Sequence, residues 1–528
     1  MADGESRSLN RFRWVMFVLG PVLALVTFLV VPETFERGGE VVTLAHSARA
    51  AAALAVWMAV WWLSEAVHIS VTALLPLVLL PLFGVSDMRE AAVSYAHPII
   101  FLFMGGFILS LSMQKWGLHK RIAMIALRGV GTQPHRLVLG FMVVTAVLSM
   151  WVSNTATTLM MLPIALSVLD RFGLVGVNEG DEEGRDEGVS VGARNLAVCL
   201  VLGIAYGASI GGLGTPLGSP PNAIALGWLS DNTDISISFA QWMGVGMPVV
   251  VLFLPVAWLL LTRVLYPIGD AGFKGKADEV AEAIRTPLGR VNRGEVATAI
   301  VFGVAVIAWV SRSVYSELEV GGVKPFASSA GDALIAMAAA IALFVIPASG
   351  SPRRFVMDWG TAVKMPWGVL ILFGGGLSLA GALAFDPDGI GPTGGQFVSF
   401  SGYLAEQLAG LSALPLVLIV GATVMLVIFL TELTSNTATA NTLVPILGAL
   451  CGAAALDIAP TTLIIPAALA ATCAFMLPVA TPPNAIVYSS GHIRMAQMIK
   501  AGLVLNMVGV VLITLLTYWL MPVVFGGG

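Results

Sequence analysis

The chain has 528 residues, of which 57% are hydrophobic and 11% are charged, and its mean hydropathy is +0.89. Soluble domains carry about 25% charged residues, so this composition excludes a set of soluble domains and indicates a polytopic membrane protein. The formal net charge of −4 comes without a long basic or acidic tail, so the charge balance gives no reason to expect a nucleic-acid partner.

The N-terminus carries Arg7, Arg11 and Arg13 just before an apolar run at 14–31. The arrangement is similar to a signal peptide, but the run is long enough to cross a bilayer and lacks a small-residue cleavage site. We therefore expect segment 1–32 to be the first transmembrane helix, with its N-terminus in the cytoplasm. A short loop containing Arg37 follows it.

The next apolar runs predict three spans, at 49–66, 71–83 and 98–111. Trp57, Trp61 and Trp62 lie in the first of them, and we place them at the membrane interface, where tryptophan is enriched. Beyond the third span, Lys and Arg residues alternate with apolar residues. This pattern is typical of an amphipathic helix on the cytoplasmic surface.

A polar cluster interrupts the apolar run at 136–170. Ser153, Asn154 and Thr155 lie near its middle, and basic residues stand at both outer ends. Two half-length helices that meet at such a break predict a re-entrant hairpin, which enters and leaves the membrane on one face. A second copy of the sequence SNTAT predicts another hairpin at 414–453. Its polar residues are Ser435, Asn436 and Thr437.

Each hairpin is followed by an apolar run with a break of its own. Gly214-Thr215-Pro216 interrupts the run at 196–228, and Ala480-Thr481-Pro482 interrupts the run at 462–488. A Pro-Pro-Asn triplet closes both breaks. Glycine weakens a helix and proline removes a donor, so backbone carbonyls are expected to be free at these positions.

The charged loop at 266–294 is the natural boundary between two halves, and we expect it to be a cytoplasmic linker. The second half, 295–523, repeats the order of the first, 45–265. About eleven spans are predicted, with an odd number between the two polar clusters, so the second half is inverted and the C-terminus lies outside. The distribution of positive charge agrees with this topology, because it places all but five of the 27 Lys and Arg residues on the cytoplasmic side. The five are Arg37, Arg49, Arg89, Arg312 and Lys324.

Inverted repeats with broken helices at matching positions are typical of secondary transporters with a site at the bilayer midplane. Helix N-termini at such tips favour an anion, and freed carbonyls favour a small cation. The side chains of Asn154 with Thr155, and of Asn436 with Thr437, can donate to two carboxylates at once. A monovalent cation beside each pair would have oxygen ligands only. Those ligands are Ser149, Ser153, Asn154 and the carbonyl of Gly214 in one site, and Thr431, Ser435, Asn436 and the carbonyl of Ala480 in the other.

Other interpretations of the polar residues exist. Ser, Thr and Asn in membrane helices also bond neighbouring helices, although two copies followed by matching breaks argue against this as the whole explanation. Glu65 lies at a helix end beside His68, where it is either interfacial or functional. Glu432 follows Thr431 and either tunes the cation site or bonds a neighbouring helix.

The segments Trp61-Trp62-Leu63-Ser64-Glu65-Ala66 and Val71-Thr72-Ala73-Leu74-Leu75-Pro76, the paired SNT motifs and the Thr-Pro breaks resemble the divalent anion/sodium symporter family, which includes sodium-dicarboxylate cotransporters. The resemblance covers nearly the whole chain. It implies a homodimer in the inner (plasma) membrane, with a scaffold domain and a transport domain that moves as an elevator. It also implies symport of sodium with succinate, malate or fumarate, without an organic cofactor.

The resemblance assigns substrate and sodium contacts to the SNT residues of both hairpins. It places further sodium ligands on Ser149, Gly214, Thr431 and Ala480, and substrate-side residues on Thr215, Pro216, Thr481 and Pro482. One departure lies away from this site: Val67-His68-Ile69-Ser70 stands where the family has a proline-containing stretch.

Several alternatives remain within and outside this family. A dicarboxylate exchanger that needs no sodium, or a carrier of sulfate or citrate, would share these motifs, although the oxygen ligands at Ser149 and Thr431 favour sodium coupling. A channel is disfavoured because no continuous polar stripe is present. An intramembrane serine hydrolase would use the GxSxG match at 207–211, but no histidine lies mid-span with it. Cys199, Cys451 and Cys473 lack metal-ligand spacing, so we expect neither a metal site formed by cysteines nor a disulfide framework.

Overall fold

A computed structural model of the protein describes residues 2–37, 40–131, 133–171, 191–269, 289–319, 321–324, 326, 330–348, 354–384, 397–407, 414–451 and 458–525. Most of the predicted linker at 266–294 lies outside the described residues, as do the last two residues of the predicted hairpin at 414–453.

The first half is built almost entirely from helices. In chain order these are α1 (Ala2–Val30), α2 (His46–Ser64), α3 (Ile69–Thr72), α4 (Leu75–Leu82), α5 (Met88–Val93), α6 (Pro98–Trp116), α7 (Leu118–Arg128), α8 (Pro134–Ser149), α9 (Asn154–Arg171), α10 (Val191–Gly211), α11 (Pro220–Asn232) and α12 (Phe239–Leu259), which continues as a π-helix over Leu260–Leu265.

The second half contains the same order of a hairpin followed by a broken helix. Its helices are α13 (Arg293–Val310), α14 (Arg312–Tyr315), α15 (Ala330–Val345), α16 (Trp359–Ala362), α17 (Trp367–Ala384), α18 (Phe400–Gln407), α19 (Leu416–Thr431), α20 (Asn436–Cys451), α21 (Pro460–Thr472), α22 (Pro482–Tyr488) and α23 (Met495–Phe525). Thus α8–α9 precede the pair α10 and α11, and α19–α20 precede the pair α21 and α22.

The prediction of a helical membrane protein is confirmed. Within the described ranges, eight helical segments are long and apolar enough to cross a membrane. They are Arg11–Val30, His46–Ser64, Met88–Trp116, Val191–Gly211, Phe239–Leu265, Arg293–Tyr315, Trp367–Ala384 and Met495–Phe525. The predicted span at 71–83 and the broken apolar run at 462–488 are formed by shorter helices. The count of eleven crossings therefore stays a prediction.

The segment predicted as a loop around Arg37 is a small β-sheet. Strand β1 (Thr34–Arg37) pairs with β2 (Glu40–Leu44) in antiparallel register, and β2 pairs in parallel with β3 (Phe397–Val398). The β2 strand is rich in β-branched residues, which favour this conformation. The sheet joins the end of α1 to a distant part of the chain.

The predicted interfacial level of the tryptophans stays a prediction, but two of them, Trp61 and Trp62, are enclosed by protein. Trp62 is fully buried and Trp61 is 7% exposed. The indole nitrogens donate to backbone carbonyls, Trp61 to Phe17 O at 3.1 Å and Trp62 to Ile69 O at 3.1 Å. A buried indole is stable when its N–H is satisfied in this way, so these rings pack α2 against α1 and α3.

A row of glycines brings α10 unusually close to α8. Gly203, Gly207 and Gly211 recur every four residues, and a Cβ atom at Gly211 would lie 2.2 Å from Ala146 O. Small residues at this spacing allow helix backbones to approach in membrane proteins. The GxSxG match is therefore part of a packing stripe inside the continuous helix α10, and Ser209 is buried within it.

Gly211→Ala is expected to destabilise the protein by about 1–3 kcal/mol, because the added methyl group meets backbone atoms that cannot rotate away. Thermal unfolding in detergent, followed by tryptophan fluorescence, measures the loss. Gly303→Ala in α13 is the matched control, since a Cβ there meets nothing within 4 Å. Equal melting temperatures for the two variants would contradict the close helix approach.

Candidate functional site

A cavity of about 840 Å³ lies where the two hairpin tips meet the two helix breaks. This volume is within the range of small-molecule sites, about 300–1,000 Å³. Nine predicted residues line it together: Ser153, Asn154, Thr155, Ser435, Asn436, Thr437, Ala480, Thr481 and Pro482. The expectation that both copies of the SNT motif face one space is thus met by the geometry.

The remaining walls come mainly from α6 and from the segment before α17. Phe103, Phe107, Ser110 and Gln114 contribute one side. Of the described residues that line the cavity, Lys364 is the only cationic one. The sequence prediction missed Lys364, because an exposed lysine in a short loop carries no motif.

Glu65 also lines the cavity and has an unusual backbone conformation. Its φ angle is +48°, and it is the one non-glycine residue with positive φ in the part of the chain that is described. Such conformations cost about 1 kcal/mol or more and persist where the surroundings require them. Glu65 ends α2 and turns the chain toward α3, and the choice between its functional and its interfacial interpretation stays open.

The first hairpin tip is held together by side chains of its own motif. Ser153 caps α9, with its hydroxyl accepting from Ala156 N at 3.3 Å. The Ser149 hydroxyl lies 2.5 Å from the amide of Asn154. In the amide orientation that satisfies its neighbours, Asn154 donates to Gly218 O at 3.3 Å and to Ala208 O at 3.2 Å. The tip is thereby joined to the first helix break.

The second tip repeats this arrangement with a threonine in place of the serine. Thr431 Oγ1 lies 2.7 Å from Asn436 Oδ1 and 2.9 Å from Ala471 O. Ser149 and Thr431 are both fully buried. Each tip therefore brings together a buried hydroxyl and the amide five residues later, beside backbone oxygens of the neighbouring broken helix.

Five predicted site residues do not line the cavity: Ser149 and Thr431, which are buried behind the tips, and Gly214, Thr215 and Pro216 of the first break. Gly214 packs against the side chains of Met150 and Met247. The Thr215 hydroxyl is fully buried, where it donates to Met150 O at 2.5 Å and accepts from Gly218 N at 3.1 Å. The residues at the cavity are instead Leu217, Gly218, Ser219 and Pro220.

The hydrogen bonds of two asparagines give the physical reason for this shift. Asn222 Nδ2 donates to the carbonyls of Gly212 and Thr215, ten and seven residues before it. Asn484 Nδ2 donates to the carbonyls of Ala474 and Leu477, at the same two separations. The two breaks are therefore equivalent when counted back from the Pro-Pro-Asn triplet, which pairs Gly218 with Ala480 and Ser219 with Thr481.

The two breaks also contact each other. Ser219 Oγ lies 2.8 Å from Thr472 Oγ1 at the end of α21, and both residues are buried. The site is thus a single structure made from both halves of the chain.

Glu432 anchors the second break from behind the tip. Its carboxylate accepts from the backbone nitrogens of Phe475 at 2.6 Å, Met476 at 2.8 Å and Leu477 at 3.1 Å. The Asn506 amide donates a fourth bond at 2.7 Å. A buried carboxylate is tolerated when donors surround it in this way. Of its two predicted roles, bonding a neighbouring helix matches these contacts.

Comparison with known proteins adds independent information. Residues 14–525 match the family described as the sodium:sulfate symporter transmembrane region. The sodium-dependent dicarboxylate transporter SdcS of Staphylococcus saprophyticus is 38% identical over 527 residues, covering 99% of this chain and 94% of the relative. The SdcS of Staphylococcus aureus strain USA300 is 38% identical over 519 residues, covering 96% of this chain and 91% of the relative.

A solved structure is similar in fold. The crystal structure of the Alcanivorax borkumensis YdaH transporter aligns with 97% of this chain and 98% of its own, with a TM-score of 0.56. The sequences are 13% identical, so this likeness concerns the architecture alone.

Proposed function

The chain belongs to the sodium:sulfate symporter family, and on that premise we propose that it is a secondary transporter that carries a dicarboxylate such as succinate, malate or fumarate together with sodium. Membership of the family makes it a transporter and not an enzyme. The observation that carries the proposal is the shared cavity, in which two amide and hydroxyl clusters face one space.

We assign the substrate contacts to the two SNT motifs and to the residues that face them from the breaks. These are Ser153, Asn154, Thr155, Ser435, Asn436, Thr437, Thr481 and Pro482, with Ser219 and Pro220 taking the places first given to Thr215 and Pro216. Amide and hydroxyl donors at both ends suit a molecule with two carboxylates. Lys364 at the cavity raises the local concentration of such an anion.

We assign one sodium ion to each tip. The first has Ser149, Ser153, the side-chain oxygen of Asn154 and the carbonyl of Gly218 as ligands, and Gly218 replaces the predicted Gly214. Without an ion the Asn154 amide nitrogen donates to Gly218 O, and with the ion bound the amide turns so that its oxygen faces the ion. The second has Thr431, Ser435, Asn436 and the carbonyl of Ala480. Hard cations of this kind favour neutral and anionic oxygen ligands. Bound sodium would offset the charge of the dicarboxylate.

The lengths of the hairpin helices support re-entrant geometry. Helices α8, α19 and α20 have 16 residues each, about 24 Å, which is less than the hydrocarbon thickness of about 30 Å.

With the N-terminus in the cytoplasm, the cavity wall formed by Glu65, Gln114 and Lys364 lies on the cytoplasmic side. We propose that an elevator movement of the hairpin-bearing units within a homodimer exposes the site to the other face.

The proposal predicts that purified protein in proteoliposomes takes up radiolabelled succinate when a sodium gradient is imposed, and that potassium or lithium substitutes poorly. Uptake measured with and without competing malate, fumarate, citrate and sulfate ranks the anions. Uptake that does not depend on sodium but requires internal dicarboxylate would identify an exchanger instead. Preferential inhibition by sulfate would overturn the assignment of a dicarboxylate.

A further inference from the structure

The two asparagines of the Pro-Pro-Asn triplets, Asn222 and Asn484, lie behind the proposed site and do not line the cavity. Both are fully buried. Each uses its two amide hydrogens on two carbonyls of the unwound segment before it, at 2.9 and 2.8 Å for Asn222 and at 3.1 and 3.0 Å for Asn484. The pattern is the same in both halves although Thr215 lies seven residues before its asparagine and Thr481 lies three residues before its own.

These bonds satisfy backbone groups that the helix breaks leave without helical partners. Carbonyls released at the end of a helix must find donors when they are buried. One planar amide with two donors closes each segment into a loop of fixed size. The first loop places the carbonyl four residues before its asparagine, Gly218 O, 3.3 Å from the Asn154 amide, and the equivalent residue of the second loop, Ala480, lines the cavity together with Ser435 and Asn436.

We propose that Asn222 and Asn484 are positioning residues for sodium, each fixing the loop whose carbonyl completes one cation site. This inference rests on the proposed function. It assigns a role to two residues that contact neither the cavity nor, in our assignment, either ion. Their effect on sodium acts through the geometry of the loop, so it should be separable from an effect on the bound dicarboxylate.

Aspartate at either position tests the proposal, because it has nearly the same shape but cannot donate to the two carbonyls when ionised. We expect Asn222→Asp and Asn484→Asp each to raise the sodium concentration for half-maximal succinate uptake about tenfold or more, the equivalent of about 1.4 kcal/mol. The KM for succinate at saturating sodium should change much less. Asn→Gln at the same positions keeps the amide and should recover part of the sodium affinity.

Asn195→Asp is the matched control. Asn195 Nδ2 also donates to a backbone carbonyl, Pro267 O at 2.9 Å, but at the start of α10 and away from the cavity. The sodium dependence of succinate uptake by Asn195→Asp should equal that of the wild type. Because a variant can fail to fold, sodium-dependent thermal stabilisation of the monodisperse glutamine variants in detergent provides a second measurement. Each should need more sodium than the wild type for the same stabilisation.

Three results would overturn the inference: unchanged sodium dependence in both aspartate variants, an equal shift in Asn195→Asp, or glutamine variants with wild-type sodium stabilisation. A wild-type protein that transports succinate without sodium would instead remove the proposed function. The two failures are therefore distinguishable in one set of experiments.

Discussion

Asn154→Ala and Asn436→Ala are each expected to reduce sodium-driven succinate uptake about 100-fold or more. Each change removes an amide that faces the cavity and that also lies beside a buried hydroxyl, Ser149 or Thr431. Hydrogen bonds to charged groups contribute about 1.5–3 kcal/mol each, and the substrate and a sodium ion both lose a partner. Initial rates in proteoliposomes, across a range of succinate and sodium concentrations, measure the effect.

Asn232→Ala is the appropriate control for these variants. Its amide bonds Trp228 O at 3.0 Å at the end of α11, outside the cavity, so uptake should remain near the wild-type rate. If Asn154→Ala or Asn436→Ala retained wild-type uptake, the proposed site would have to be abandoned.

Glu432→Ala is expected to destabilise the protein by about 3 kcal/mol or more and to abolish sodium-dependent uptake. It leaves three consecutive backbone N–H groups, one buried and two partly buried, and the buried Asn506 amide without their acceptor. Buried donors that lose a partner cost about 1–3 kcal/mol each. The loop between α21 and α22 carries Ala480 and Thr481, so its disorder should also remove contacts at the cavity.

The size of this effect is measured by thermal unfolding in detergent, with sodium and without it. Glu432→Gln keeps one acceptor oxygen and should be intermediate in stability. Glu36→Ala, in the exposed part of β1, removes a carboxylate of the same type and should leave the melting temperature unchanged. A melting temperature for Glu432→Ala equal to that of Glu36→Ala would show that the four bonds contribute little.

Much of the architecture follows from the sequence because it depends on local composition. Apolar runs predict the long helices, and the repeated SNTAT cluster predicts two tips that meet in one cavity, as the lining residues agree. The small sheet formed by β1, β2 and β3 was not predicted, because its third strand comes from more than 300 residues away and has two residues.

The structure places a different part of the first break at the cavity than the sequence predicted, for an identifiable reason. The prediction matched the first Thr-Pro pair after each hairpin, which made Thr215 equivalent to Thr481. In the structure the equivalent residues are those at the same distance before Asn222 and Asn484. The sequence contained the signal, since Gly218-Ser219-Pro220-Pro221-Asn222 matches Ala480-Thr481-Pro482-Pro483-Asn484 without a gap. Choosing between the two alignments required the hydrogen bonds.

The tryptophans show a limit of a different kind. The enrichment of tryptophan at membrane surfaces describes an average, and it does not say which indole finds a carbonyl inside the protein. Trp61 and Trp62 do so at Phe17 O and Ile69 O. Lys364 is at the cavity only because of how the chain folds before α17.

Glu432 has no chemical counterpart in the first half, where the residue after the buried hydroxyl is Met150. Met150 contributes its backbone carbonyl to Thr215, so the first loop is tied through a main-chain oxygen and the second through a side chain. The two halves therefore differ at this position although both carry the same SNT residues at the cavity. We expect that exchanging Met150 and Glu432 between the halves would destabilise the protein. A methionine at position 432 offers no carboxylate to the backbone N–H groups after α21.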